Sequence, residues 1–158
     1  MSNKSKLFYL IFASVFFIIF NGYITNYILN FGYEFTENPI FSLTLVQNEG
    51  ASFNIFEGYR VFLILFSACA FLGIIFYAIK HIKKLSGFVL FYTSIMLSGI
   101  FNNMIERIMF GYVRDFIQLK FIDFPVFNLS DLLINIGVIG LVGIILKREY
   151  IKKTQNIK

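Results

Sequence analysis

Residues 126–146, VFNLSDLLINIGVIGLVGIIL, form an almost unbroken apolar segment that carries a single carboxylate, Asp131, near its start. A helix needs about 20 mostly apolar residues to cross the hydrocarbon core of a bilayer, so this segment is long enough to span a membrane. An ionisable side chain inside such a span is costly, and it is a functional candidate by default. The segment therefore predicts a membrane helix that contributes to a functional site.

Three further segments are also long and apolar enough to span a membrane: residues 7–29, 61–79 and 85–105. The first of them resembles a cleaved signal peptide in its basic start and apolar core, but Asn21-Gly22-Tyr23 does not match the small-x-small cleavage site that should follow. We therefore interpret it as a retained helix. Since no segment between the spans is long enough for a separate domain, residues 1–158 are predicted to form one integral-membrane domain with four transmembrane helices.

The composition excludes several classes of protein. Of the 158 residues, 58% are hydrophobic and 15% are charged, whereas a soluble domain has roughly 45–50% apolar and about 25% charged residues. A disordered chain and an ordinary soluble domain are therefore both excluded. A single cysteine also excludes a disulfide-stapled scaffold. The net charge of +5 is better explained by membrane orientation than by a nucleic-acid partner, and we expect no nucleic acid to bind.

The charges are distributed unequally between the two sides of the predicted bundle. If the N-terminus is cytoplasmic, ten of the 14 Lys and Arg residues lie inside, and the positive-inside rule then places both termini in the cytoplasm. Eight of the nine acidic residues lie on the outer side or at its edge. This distribution favours an outer face that performs chemistry or recognition, although acidic residues are also common in any solvated loop.

The longest segment outside the spans, residues 30–59, has β character. Residues 40–47, IFSLTLVQ, alternate apolar and polar side chains and are rich in β-branched and aromatic types, which predicts a strand. Asn48-Glu49-Gly50 is then a turn. A small sheet on the membrane surface is expected, with an edge that an extended peptide can pair with.

Polar side chains cluster at the outer ends of the third and fourth spans. Asp131 lies about five residues into the fourth span, and Asn128 and Asn135 share its helix face. Asn103 and Arg107, four residues apart, share a face of the third span. Two alternatives remain for these residues: the amides can simply join helices, and Arg107 can extend to the lipid headgroups.

A second carboxylate, Asp115, follows in an outer loop that returns through residues 124–127 into the fourth span, which can bring it beside Asp131. Two adjacent carboxylates share a proton, so one can activate water while the other protonates an oxyanion or a leaving amine. The single histidine, His81, lies on the predicted inner side, and there is no His/Cys cluster. Among hydrolytic chemistries, these residues favour an aspartic-protease arrangement without a metal or other cofactor.

Four short motifs, in order along the chain, resemble those of the lipoprotein signal peptidase (signal peptidase II) family. They are NEGASF (48–53), NMIER (103–107), GYVRDFI (111–117) and FNLSD (127–131). The family patterns are N-x-G-A-x-F, N-x-I-D-R, G-x-V-x-D-F-I and F-N-x-A-D. The size and the four spans agree with the family as well.

The resemblance implies an aspartyl endopeptidase of the bacterial cytoplasmic membrane, with its active site at the extracytoplasmic face and a β-cradle on the membrane surface. Its substrate is a diacylglyceryl-modified prolipoprotein, cut on the amino side of the lipidated cysteine. Besides this substrate, membrane lipids are the only expected partners, and a monomer is expected. The resemblance implies a catalytic dyad of Asp115 and Asp131. It also implies five residues that bind substrate or support the site: Asn48, Gly50, Asn103, Arg107 and Asn128.

The chain also departs from the family pattern. Where the family has D-Q-x-T-K late in the first span, residues 22–26 replace the acid by Gly22 and the lysine by Asn26. Glu106 replaces aspartate, Asn102 replaces glycine, and Ser130 replaces alanine. The loss of the acid at Gly22 leaves one alternative, a catalytically weak or inactive paralogue that binds lipidated peptides. A transporter is disfavoured because the inner halves of the spans are apolar.

Overall fold

The computed structural model describes residues 1–31, 39–51 and 55–155. Its long helices are α1 (Asn3–Phe31), α2 (Arg60–Lys80), α3 (Gly87–Phe110) and α4 (Leu129–Gln155), and a single 3₁₀ turn (Ile82–Lys84) joins α2 to α3. All four helices are long and apolar enough to cross a membrane. The prediction of four membrane helices is confirmed.

The helices differ from the predicted spans at their ends, and the difference matters most for α4. The fourth span was predicted to begin at residue 126, but Phe127 pairs with Ile117 in an antiparallel bridge, so the chain is still extended there. The helix therefore begins at Leu129 and places Asp131 in its first turn rather than five residues inside, which corrects the prediction. At its other end α4 continues to Gln155, beyond the predicted residue 146, because basic and polar residues extend the helix past the apolar segment.

The ends of the other three helices also differ from the predicted bounds. α1 covers Asn3–Phe31 rather than 7–29, and α2 covers Arg60–Lys80 rather than 61–79. α3 begins two residues late, at Gly87, because the Ser86 side chain caps it, accepting a hydrogen bond from the backbone N–H of Val89. It ends at Phe110 rather than residue 105. Hydropathy identifies the apolar part of each helix, whereas caps determine where the hydrogen-bonded helix ends.

The sheet has two antiparallel strands, β1 (Phe41–Asn48) and β2 (Val113–Leu119). The predicted strand at 40–47 is confirmed as β1, shifted by one residue. Residues 111–117 were interpreted as part of a loop. This is wrong for the residues of β2, which form a strand by pairing with β1, more than sixty residues earlier in the chain. Of the predicted outer segment 30–59, residues 32–38 and 52–54 lie outside the described residues.

α3 is the central helix, and it packs against α1, α2 and α4. In its most apolar window 44% of the residues are buried, against 11–17% in the other three helices. The other helices expose large apolar side chains, such as Phe8 and Phe12 of α1 and Phe66 of α2. Such faces suit lipid rather than water, and this explains why polar side chains on α3 lie inside the protein.

The outer end of α3 lies close to the start of α4. A methyl group on Gly99 would overlap the backbone carbonyl of Ser130, so only glycine permits this approach. α3 ends at Gly111, whose φ of 96° is the left-handed conformation that glycine adopts at helix C-termini. Arg60 donates to the carbonyls of Arg107 and Ile108 at 2.8 and 2.9 Å, which satisfies two acceptors of the last turn. These contacts place the end of α3 beside both β2 and the first turn of α4.

Candidate active site

Asp131 is positioned by the residues next to it in the chain. Asn128 precedes α4 as its N-cap, and its Oδ1 accepts a hydrogen bond from the backbone N–H of Asp131 at 2.9 Å. In return, Asp131 Oδ2 accepts from the backbone N–H of Asn128 at 3.3 Å. This reciprocal pair is a capping box, with asparagine and aspartate in place of the more common serine and glutamate. The first turn of α4 therefore fixes the orientation of its own carboxylate.

Asp115 is positioned by residues far away in the chain. It lies in β2 with 1% of its surface exposed, and its neighbour across the sheet is Val46. Its Oδ2 accepts from Asn48 Nδ2 of β1 at 2.8 Å, and its Oδ1 accepts from Asn128 Nδ2 at 2.8 Å. The carboxylate is thus held on both oxygens, from two different elements.

Burial raises the pKa of Asp115 from 3.8 to about 7. The hydrogen bond from Asn48 opposes this shift because it stabilises the charged carboxylate, and the nearby charge of Asp131 adds to the shift. The hydrogen bond from Asn128 and the positive charge of Arg107 lower the pKa by smaller amounts. The Asp115 carboxyl group can therefore gain or lose a proton near neutral pH.

Two amides connect the carboxylates. Asn128 Nδ2 donates to Asp115 and also to Asn103 Oδ1, the latter at 3.1 Å. Asn103 Nδ2 in turn donates to Asp131 Oδ1 at 2.8 Å. The two amide groups therefore form a continuous hydrogen-bonded connection between Asp115 and Asp131. A shift of either carboxylate disturbs the other, since buried polar networks act as a unit.

Arg107 anchors the segment after β1. Its Nη2 donates to the carbonyl of Gly50 at 2.6 Å, and its Nη1 donates to the carbonyl of Asn103 at 3.3 Å. The backbone N–H of Gly50 donates to Asn48 Oδ1 at 3.0 Å, which closes a local turn. Because Arg107 is buried, the alternative in which it extends to the lipid headgroups is wrong. Its guanidinium instead supports the turn that carries Asn48.

A cavity of about 610 Å³ opens beside the two carboxylates. Five of the seven predicted site residues line it: Asn48, Asn103, Arg107, Asp115 and Asp131. The other two do not line it but are hydrogen-bonded to residues that do: Gly50 to Arg107, and Asn128 to Asn103. One turn deeper along α4, Asn135 faces the same cavity, and residues 124–127 form an apolar part of the wall. The cavity thus combines two buried carboxylates with an apolar surface.

A second group of polar contacts, which the sequence analysis missed, surrounds Arg114. Its guanidinium pairs with Glu106 at 2.7 Å, and its Nη1 donates to Asn26 Oδ1 of α1 at 3.4 Å. Two of the residues that depart from the family pattern, Asn26 and Glu106, therefore meet at Arg114. The spacing of these residues follows neither helix nor strand periodicity across elements, so the sequence carried no signal for this cluster.

Another departure from the family pattern also has a structural partner. The Ser130 hydroxyl accepts a hydrogen bond from Asn21 Nδ2 at 2.8 Å, and the Asn21 side chain is completely buried. Asn21 Oδ1 accepts in turn from the hydroxyl of Thr25. α1 is thereby hydrogen-bonded to the first turn of α4, directly beside Asp131.

Within residues 1–31, 39–51 and 55–155, no three His, Cys, Asp or Glu side chains come together as a potential set of metal ligands. The chemistry that these residues can supply is that of paired carboxylates with amides that orient them.

Comparison with known protein families gives a match over most of the chain. The family model described as "Signal peptidase (SPase) II" matches residues 11–147. A lipoprotein signal peptidase of Lactobacillus johnsonii is 38% identical over 143 residues, which cover 88% of this chain and 92% of that protein. A lipoprotein signal peptidase of Streptococcus thermophilus is 38% identical over 110 residues, 70% of this chain and 71% of that protein.

Solved structures of bacterial membrane enzymes have the same fold. One, determined by the in meso method at 2.3 Å resolution, superposes with a TM-score of 0.75 at 28% identity and covers 87% of both chains. Another, at 1.9 Å resolution, gives a TM-score of 0.70 at 27% identity and covers 87% of this chain and 92% of that one.

Proposed function

Because the chain belongs to the signal peptidase II family of aspartic peptidases, we propose that Asp115 and Asp131 are the catalytic pair with which it removes signal peptides from prolipoproteins. The observation that carries the proposal is the position of these two carboxylates. They come from different elements, are joined through Asn103 and Asn128, and line the same cavity. Burying two carboxylates together costs free energy, and a catalytic site accounts for that cost.

The mechanism follows from the protonation of the pair. The raised pKa of Asp115, about 7, lets this carboxyl group hold a proton near neutral pH, and we assign the role of base to Asp131. Asp131 removes a proton from a water molecule as its oxygen attacks the scissile carbonyl carbon, and Asp115 protonates the carbonyl oxygen. The tetrahedral intermediate then collapses: the C–N bond breaks, and the proton held by Asp131 moves to the leaving amine. The hydroxyl proton of the intermediate returns to Asp115.

The amides position the carboxylates for these transfers. Asn128 holds Asp115 and caps the helix of Asp131, while Asn103 holds Asp131. Asn48 and Arg107 hold the turn at Gly50, at the edge of the cavity, where an extended peptide can lie along the sheet. Preorganised polar groups of this kind reduce the reorganisation needed in the transition state.

The proposed substrate is a prolipoprotein that carries a diacylglyceryl group on its cysteine, with cleavage on the amino side of that cysteine. The cavity supports this specificity because an apolar wall at residues 124–127 faces the carboxylates. Lipid-exposed helices flank the site, so an acyl chain can remain in the bilayer while the peptide reaches the carboxylates.

The proposed topology places both termini in the cytoplasm and the site at the extracytoplasmic face of the cytoplasmic membrane. The excess of Lys and Arg on the side of the termini supports this orientation. A monomer is the proposed active form, since one chain supplies both carboxylates and the amides that hold them.

Cleavage of a lipidated prolipoprotein by the purified protein tests the proposed function. We expect a gel shift and, by mass spectrometry, a product that begins at the lipidated cysteine. The unlipidated prolipoprotein and a Cys→Ser substrate are the controls and should remain uncut. Binding of the lipidated substrate without cleavage would support the paralogue hypothesis instead, which the comparisons do not favour. Activity should also persist in EDTA.

A further inference from the structure

Two adjacent residues at the outer end of α3 contact the turn that follows β1 and the strand β2. Arg107 bonds the carbonyl of Gly50, in the segment after β1. Glu106 bonds Arg114, in β2. Arg114 immediately precedes Asp115, and neighbouring side chains of a strand point to opposite faces. A contact on Arg114 therefore acts on the backbone of Asp115 from the face opposite its carboxylate.

The contacts of Glu106 hold the backbone of β2 as well as the Arg114 side chain. Glu106 Oε2 accepts from the backbone N–H of Arg114 at 2.8 Å. Glu106 Oε1 accepts from Arg114 Nη2 at 2.7 Å and from Nε at 3.1 Å. The side chains are 14% and 21% exposed, so water competes with these bonds less than at an open surface.

Two further contacts fix the guanidinium of Arg114. Its Cζ lies 4.5 Å from the centre of the Phe110 ring, within the range of a cation–π interaction. Its Nη1 also donates to Asn26, so the same side chain joins β2 to α1. Arg114 thus joins β2 to both α3 and α1, whereas an ordinary surface ion pair joins two side chains and contributes little.

We propose that Glu106 and Arg114 are positioning residues that set Asp115 at the distance from Asp131 that catalysis requires. The proposal rests on the function proposed above. Neither side chain lines the cavity, so they act through β2 rather than on the substrate. A displacement of about 1 Å at a reacting group can lower a rate by roughly 100-fold, which makes such a contact important for catalysis without any role in binding.

The experiment compares Arg114→Val, Glu106→Gln and Arg114→Lys with the wild type in detergent micelles, using a lipidated prolipoprotein. We expect kcat to fall by roughly 10- to 100-fold in Arg114→Val and Glu106→Gln, with KM changed less than about twofold. Arg114→Lys should recover part of the lost kcat, because Nε and Nη2 of Arg114 both bond a single oxygen of Glu106, which an ammonium group can also bond, while the bond to Asn26 is lost. Glu149→Gln is the matched control, since it breaks an exposed ion pair with Lys152 at the far end of α4.

Hydrogen–deuterium exchange of Val113–Leu119 gives a readout that needs no activity. Exchange in this segment should become faster in Arg114→Val and Glu106→Gln and stay unchanged in Glu149→Gln, at equal membrane content and apparent melting temperature. The proposal is overturned if Arg114→Val keeps its kcat, if exchange in β2 does not change, or if Arg114→Lys is as slow as Arg114→Val. A wild type that cuts no prolipoprotein would contradict the proposed function, and the exchange data would still decide the role of the pair.

Discussion

The two carboxylates of the site line the same cavity, but different kinds of contact hold them in place. Asp131 depends on a capping box within three residues of sequence, with one further bond from Asn103 of α3, whereas Asp115 depends on Asn48, 67 residues away, and on the register of two strands. Asn128 takes part in both arrangements. A local contact forms whenever the helix forms, while a distant one requires the whole outer end to be assembled. The position of Asp115 should therefore be the more easily disturbed.

The largest loss of cleavage rate is expected when either carboxylate is replaced, and it should be similar for the two. Asp115→Asn and Asp131→Asn should each lower the cleavage rate on the order of 10⁴-fold, because the pair needs one base and one acid. Both variants should remain in the membrane fraction at the wild-type level. Cleavage of a lipidated prolipoprotein, followed by gel shift, is the measurement. Normal cleavage by either variant contradicts the dyad.

Substitution of Asn128 separates its two roles. Asn128→Ser keeps a good N-cap for α4 but is too short to reach Asp115, so it should lower kcat by roughly 100-fold with little loss of stability. Asn128→Ala removes the cap as well and should cost about 1 kcal/mol more in the free energy of unfolding. Rates and apparent melting temperatures measured together test this. Equal stability of the two variants would show that the cap contributes little.

Of the two carboxylates, Asn48 contacts only Asp115. Asn48→Leu removes the amide that stabilises the charged form of Asp115, so the pKa of Asp115 should rise above about 7. Since Asp115 must carry its proton, the alkaline limb of the pH–rate profile should move to higher pH, with a loss in rate of roughly tenfold. Thr44→Val, at an exposed position of β1, is the matched control and should leave the profile unchanged. A shift of the alkaline limb to lower pH would contradict the expected rise in the pKa of Asp115.

The last prediction concerns the free energy of unfolding rather than the rate. The folded pKa of Asp115, about 7, lies above its ordinary value of 3.8, so between these pH values the folded protein keeps a proton that the unfolded chain has lost. Stability should therefore fall as the pH rises through this window, by up to about 1.4 kcal/mol for each pH unit. Asp115→Asn should lack this component. The difference between the two apparent melting temperatures, followed from about pH 4 to about pH 7, isolates it; parallel curves would contradict the raised pKa.

The sequence predicted the four helices and β1 because hydropathy and alternation are local signals. It also placed Asn103 in a polar cluster at the outer ends of the third and fourth spans, and the structure shows that Asn103 donates to Asp131. The interpretation of residues 111–117 as a loop failed because β2 is a strand only by virtue of its partner. The predicted depth of Asp131 in the helix was wrong because Phe127 pairs with Ile117 in an extended conformation, so α4 begins only at Leu129.

The sequence by itself determined the membrane class, the helices and the motif residues, including both carboxylates. The tertiary structure decided how Asp115 meets the amides of Asn48 and Asn128, and it alone revealed the pairing of Glu106 with Arg114. The physical reason is the range of the interactions. Periodicity and capping act over three or four residues, whereas strand pairing and buried polar contacts join segments whose separation along the chain carries no regular pattern.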